Sequence, residues 1–284
     1  MSKTSMFYKI SGSTSPDAQT LVLSSGLGGV HGFWQPQLAL LEEHFRVVVY
    51  DQFGTGASQG AIPAGYRMED MADELAALLS SLNIDRCHLV GHALGGILGL
   101  HLAQRYPALL TSLVVINGWT VLDSQTRRCF KVRQDLLLNS GVKAYVHAQP
   151  LFLYPADWLS THADLVQQEQ LQQIAHFQGM ENLLHRLHAL MASDLSDSLP
   201  NIVTPTLAIS CKDDLLVPWH CSVTLAAGLT NGEHQQMLYG GHAMSVTDPE
   251  TFNPILLAWL QGFTSPSVTT SSQPSPTETL WPKH

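Results

Sequence analysis

The chain has 284 residues, with 14 Lys+Arg against 23 Asp+Glu for a net charge of −9, and 45% of it is hydrophobic. That apolar share excludes disorder for most of the chain. The few, unclustered Lys and Arg exclude a nucleic-acid binder, whose affinity rests on neutralising phosphates. In chain order, the pattern predicts a strand at Thr20–Ser25, a helix at Trp34–Glu43, a strand at Arg46–Tyr50 and a helix at Met68–Leu82. A strand at Cys87–Val90, a helix at Leu94–Tyr106 and a strand at Ser112–Asn117 follow. After an interruption come a strand at Thr206–Cys211, a helix at His220–Leu229, a strand at His234–Tyr239 and a helix at Pro249–Phe263. The runs VLSS, VVVY and LVVI are continuously apolar, as buried parallel strands are. Strand–helix alternation predicts an α/β fold, a mostly parallel sheet with helices on both faces.

The interruption runs from Trp119 to about Leu199, is helical in pattern, and is far longer than the usual connection of ~2–6 residues. It reads as a helical cap inserted over the carboxyl ends of the strands, the edge where open α/β sheets bind ligands. The expected organisation is therefore a core made of residues 1–118 and 200–263, a cap of 119–199, and a Ser/Thr/Pro-rich disordered tail of 264–284. No signal peptide is read at the N-terminus, and no apolar run is long enough for a bilayer. Cys87, Cys129, Cys211 and Cys221 lie far apart without a CxxC pair. Reduced thiols and a cytoplasmic location are the expectation, with no membrane partner.

Chemistry concentrates at the carboxyl ends of the strands. The strand CHLVG runs into Gly91-His92-Ala93-Leu94-Gly95 and then a helix, the form of the nucleophile elbow G-x-S-x-G. Its glycines are needed where a side chain would strike neighbouring backbone. At its centre stands Ala93, whose methyl group cannot attack a substrate. Beyond the strand TLAISC comes Lys212-Asp213-Asp214-Leu215-Leu216-Val217-Pro218, which offers Asp214 as a triad acid with Asp213 as the alternative. After the next strand, Tyr239-Gly240-Gly241-His242 places His242 on a glycine-rich loop. The order elbow, Asp, His is that of the α/β-hydrolase fold. The segment Ser25-Gly26-Leu27-Gly28-Gly29 stands at the oxyanion-loop position, so the amides of Leu27 and Leu94 are the expected oxyanion hole. The stretch Asp51-Gln52-Phe53-Gly54-Thr55-Gly56-Ala57-Ser58 is similar to a D-x-R-G-x-G-x-S loop, with Phe53 in place of the usual Arg.

Cap and core together carry a closer resemblance. Asn117-Gly118-Trp119, Thr126-Arg127-Arg128-Cys129-Phe130, the run Gln149-Pro150-Leu151-Phe152-Leu153-Tyr154-Pro155-Ala156-Asp157-Trp158 and Ala175-His176-Phe177-Gln178-Gly179 resemble the pyrimidine-utilisation protein D family of the bacterial Rut pathway. So do the elbow, the Asp214 loop, the His242 loop and Thr247-Asp248-Pro249-Glu250-Thr251-Phe252-Asn253. The resemblance runs from about Leu21 to Leu257. It implies a hydrolase that releases ammonia from carbamate, or from 3-aminoacrylate in an older assignment, during uracil degradation. It also implies Ala as the family's own residue at the elbow.

On that footing His242, oriented by Asp214, acts on water as a general acid–base without an acyl-enzyme, since an imidazole readily accepts and returns a proton. A small anionic substrate calls for a cation, and Arg127 and Arg128 are the candidates because guanidinium binds carboxylate bidentately. Trp119 either walls the pocket or packs cap on core. No metal or cofactor is expected: Glu181, His185 and His188 share a helix spacing, but H-E-x-x-H is absent and a polar helix face explains them. Leu151, Phe152 and Trp158 offer a surface for a homodimer, and core packing explains them equally well. Two other functions remain open, a non-catalytic binding or receptor protein and a cofactor-free oxygenase or lyase using the His–Asp pair.

Overall fold

A computed structural model describes residues 6–263. The segment read as a disordered tail, 264–284, lies outside them. Seven strands form one sheet in the order β1-β3-β2-β4-β5-β6-β7. They are β1 (Tyr8–Gly12), β2 (Thr20–Ser24), β3 (Arg46–Tyr50), β4 (Cys87–His92), β5 (Leu110–Ile116), β6 (Thr206–Cys211) and β7 (Gly232–Met237). All neighbours run parallel except β1, which pairs antiparallel with β3 at the edge. The chain thus adopts the mostly parallel α/β-hydrolase architecture.

Successive residues of a strand point to opposite faces, and the sheet uses both. Leu21, Leu23, Val47, Val49, Val90 and Val114 face one layer, closed by α1 (Gln35–Glu42) and α10 (Pro249–Gln261). Val22, Val48, Leu89, Leu113 and Val115 face the other, closed by α2 (Met68–Ser81), α3 (Leu94–Arg105) and α8 (His220–Gly228). Double coverage is why the central strands are buried end to end. The first ten residues of α3 are buried, because it lies beneath both the sheet and its neighbours.

Two strands depart from expectation at the edges. β1 has no apolar run to announce it: its YKISG side chains are mostly exposed. β7 begins and ends two residues earlier than the predicted His234–Tyr239. The apolar letters Leu238 and Tyr239 lie past the strand, and Leu238 is 80% exposed.

Between β5 and β6 the chain leaves the sheet for α4 (Ser124–Leu153), α5 (Ala156–Thr161), α6 (Ala163–Ala175) and α7 (Met180–Ala192). Asp123 caps α4 by accepting the Gln125 N–H. Gly141, at φ 82°, breaks α4 into two segments, a conformation open to glycine. Exit and return are pinned together by a bridge between Val121 and Asp194 and by the Leu195 N–H on the Thr120 C=O. Of the three apolar residues considered for a dimer surface, Leu151 is exposed, Phe152 is half-buried and Trp158 is buried, stacked on His162. The last two are committed to the interior. Among the described residues no helix is long and apolar enough to cross a membrane. All four cysteines are buried and unpaired.

Candidate active site

The elbow between β4 and α3 is as tight as its glycines imply. A Cβ on Gly91 would lie 2.3 Å from the Gly95 carbonyl group, and one on Gly95 would lie 2.2 Å from the Ser24 carbonyl oxygen. Those obstacles are backbone and cannot rotate away. Gly95→Ala is expected to destabilise the fold by about 3 kcal/mol, at the upper end for overpacking. Urea unfolding checks this, and a loss below the scale of ordinary surface substitutions contradicts it. Ala93 takes φ 46° and ψ −108°, a strained conformation worth about 1–3 kcal/mol in a residue with a Cβ. Its N–H donates to the Ile116 C=O, and its own carbonyl accepts from Gly96 and Ile97. The turn thereby holds the Ala93 methyl at the wall of a cavity of about 1330 Å³.

His242 lines the same cavity and is almost fully buried. Its Nδ1 lies 2.8 Å from Asp214 Oδ2. The other oxygen of Asp214 accepts the N–H groups of Leu216 and Val217, at 2.8 and 2.9 Å. A carboxylate fixed by two amides holds the Nδ1–H tautomer, which leaves Nε2 with a lone pair. Asp213, the alternative acid, turns elsewhere: it accepts the Gly240 and Gly241 N–H groups and anchors the loop that carries His242.

Two residues that the sequence left without a role complete this anchoring. His92 Nε2–H and the Asn117 side-chain amide both donate to the His242 carbonyl, at 2.8 and 2.7 Å. Asn117, at the end of β5, also accepts from the Cys211 N–H at the end of β6. Burial, with the neighbouring His242, pushes the His92 imidazole down to about 3, and burial pushes His88 at the start of β4 to about 4. Both are therefore neutral in the fold but take up protons near 6.5 once unfolded. The unfolded chain binds more protons below pH 6.5, so this stability is complete above that pH and is lost as pH falls toward 4 and 3. Unfolding free energy is expected to drop by on the order of 3 kcal/mol between pH 7 and pH 5. A value unchanged over that interval contradicts the assignment.

The amide of Leu94 opens α3, where the first N–H groups have no partner within the helix. Leu27 lines the cavity opposite, in a loop held by Gln52 on the Ser25 C=O and by the Ser25 hydroxyl on the Val30 C=O. Trp119 is buried, lines the cavity and packs edge-on to Phe130. The hydroxyls of Ser24 and Ser25 are engaged, by Tyr50 and by Val30 respectively.

Arg127 and Arg128 do not meet the substrate expectation. Both are exposed on the first turn of α4 and neither lines the cavity. The buried stripe of this helix runs through Thr126, Cys129, Phe130, Arg133 and Leu137, and the cation on that stripe is Arg133. Arg133 is 6% exposed, lines the cavity and makes no ion pair among the described residues. The helical spacing of that stripe is the signal that separates Arg133 from its two neighbours in sequence. Arg186 of α7 is a second cation missed. Fully buried, it donates to the Phe53 carbonyl and the Gln178 side chain, tying the helical insertion to the loop where Phe53 replaces the usual Arg. His185, half-buried, donates to the Ile62 carbonyl, and His188 is exposed beside Gln134.

A family model described as alpha/beta hydrolase fold matches residues 19–137. The chain is 75% identical to a protein of Pantoea ananatis named "Putative carbamate hydrolase RutD", over 90% of this chain and 93% of that one. It is 51% identical to the protein of that name from Stutzerimonas stutzeri, over 89% and 95%. Among solved structures, an enol-lactonase from Burkholderia xenovorans superposes with a TM-score of 0.82 at 25% identity, covering 90% of this chain and 96% of that one. With an elbow, the Leu27 loop and the Asp214-bound His242 on one cavity, and with relatives this close over nearly all their length, the chain belongs to the RutD family of α/β-hydrolase-fold enzymes.

Proposed function

We propose that this hydrolase of the Rut pathway decomposes carbamate to ammonia and bicarbonate, with water as the attacking group. The observation that carries the reading is the pairing of an intact His242–Asp214 dyad, at 2.8 Å, with a methyl group at the nucleophile position. Asp214 holds His242 Nδ1–H, so Nε2 is free to take a proton from a water. The water oxygen bonds to the carbamate carbon, and the developing oxyanion is met by the Leu27 and Leu94 amides. His242 then returns the proton to nitrogen, the C–N bond breaks, and ammonia leaves with bicarbonate as the second product. No covalent enzyme intermediate forms, and Ala93 leaves room where a serine hydroxyl would stand. The cytoplasm is the expected compartment, and 3-aminoacrylate is the alternative substrate.

Ammonia release measured on carbamate and on 3-aminoacrylate, with and without the protein, tests this function. Acceleration of either supports hydrolysis and selects the substrate. Equal rates with and without protein overturn it. They would favour the reading to which Ala93 itself points, a hydrolase shell that binds a ligand without turning it over.

A further inference from the structure

We propose that the helical insertion holds a second anion site, built on Arg133, that takes the carboxylate of an organic acid larger than carbamate. Arg133 is buried, yet no carboxylate of the described residues pairs with it. Its Nη2 donates to the Tyr145 hydroxyl at 3.2 Å, and its Nε has no acceptor. The rings of Phe130, Tyr145 and Phe152 lie 5.6–6.0 Å from its Cζ. Aromatic neighbours satisfy part of the charge but offer nothing to the in-plane N–H groups. A guanidinium does not shed its charge on burial, and leaving one unpaired in a low-dielectric site is costly. About two turns of helix past the Gly141 break, Gln149 is also buried, also lines the cavity, and has an unbonded amide nitrogen. Two residues of α4, each with a buried donor left without an acceptor, thus line one space.

That space sets the size of the ligand. The cavity of about 1330 Å³ exceeds the range of roughly 300–1,000 Å³ common for drug-sized ligands. Carbamate fills little of it, and its carboxylate is also its reacting carbon, so it cannot occupy the elbow and an anion site in the insertion together. The walls between are largely apolar, with Leu27, Trp119, Phe130 and Leu190 among them. The acid lining the cavity, Glu169, is engaged by the Tyr154 hydroxyl, and burial raises its carboxyl above the ordinary range. It does not serve as the counter-ion of Arg133. The fitting ligand class is a short monocarboxylate with an apolar or aryl body, its carboxylate bidentate on Arg133 and its body lying toward Ala93. Such binding does not depend on the carbamate reaction.

Calorimetric titration of the full chain with butyrate, hexanoate and benzoate, each beside its uncharged amide, tests the site. Wild type should bind the carboxylates in preference to the amides. Arg133→Met should weaken carboxylate binding about 10- to 100-fold, the scale of a hydrogen bond to a charged group, and leave the amides unaffected. Arg133→Lys, which keeps the charge but loses the fork, should fall between. His242→Ala should bind the carboxylates as wild type does, since the anion is not held at the elbow. If wild type binds amides as tightly as carboxylates, or binds neither, the proposal fails even should Arg133→Met not fold. It fails equally if Arg133→Met matches wild type, or if His242→Ala abolishes carboxylate binding.

Discussion

His242→Ala is expected to reduce ammonia release from carbamate by about 10²- to 10⁴-fold, down to the rate in buffer, with the fold intact. The reason lies in what the imidazole touches. Its Nδ1 is occupied by Asp214, and its ring lines a cavity in which no hydroxyl stands at the elbow. No other group lining the cavity near the elbow replaces it: His92, its ring 4.7 Å away, is held neutral by burial and donates through Nε2 to the His242 carbonyl. Asp214→Asn should approach the same loss. An amide at that position still meets Nδ1 but no longer enforces Nδ1–H, and an analogous change in a serine-protease triad costs about 10⁴-fold in kcat. Steady-state rates checked beside circular dichroism separate chemistry from unfolding, and retention of wild-type turnover by His242→Ala contradicts the role given to it.

Ala93→Ser should have effects of opposite sign on two substrates. The elbow backbone already holds the φ and ψ of a nucleophile position, and the Ala93 Cβ already sits at the cavity wall. Serine adds one hydroxyl and needs no new backbone. With His242 able to take its proton, hydrolysis of p-nitrophenyl acetate should rise on the order of 10²-fold or more, with an initial burst from an acyl-enzyme. Carbamate turnover should fall, because the hydroxyl takes the space of the attacking water. An ester rate unchanged by Ala93→Ser would mean that His242 and the amides of Leu27 and Leu94 do not converge on this position.

Much of this site can be read from the sequence because its parts are local. An elbow is defined by glycines whose absent Cβ atoms make room for backbone, Asp214 follows a strand whose apolar run marks it, and His242 follows a Tyr-Gly-Gly turn. The edges of the sheet were harder to read, for a physical reason: β1 and β7 carry mostly exposed or half-exposed side chains, so neither burial pattern nor hydropathy outlines them. Arg133 and Arg186 were hidden for a different one. Their burial depends on what α4 and α7 pack against, and a charged letter in a helix reads first as a solvated face. In α4 the stripe of buried positions runs through Arg133 and passes by Arg127 and Arg128, which is visible only once the face of the helix is fixed. Arg186 reaches the Phe53 carbonyl from a segment 133 residues away, a contact without any local trace.

In the proposed function water, rather than a side chain, attacks the substrate. Intact-mass spectrometry of the protein, quenched during steady turnover of carbamate, tests that most directly. The chain mass should remain that of the free protein while ammonia accumulates. A covalent adduct on the chain that appears and decays with turnover would contradict it.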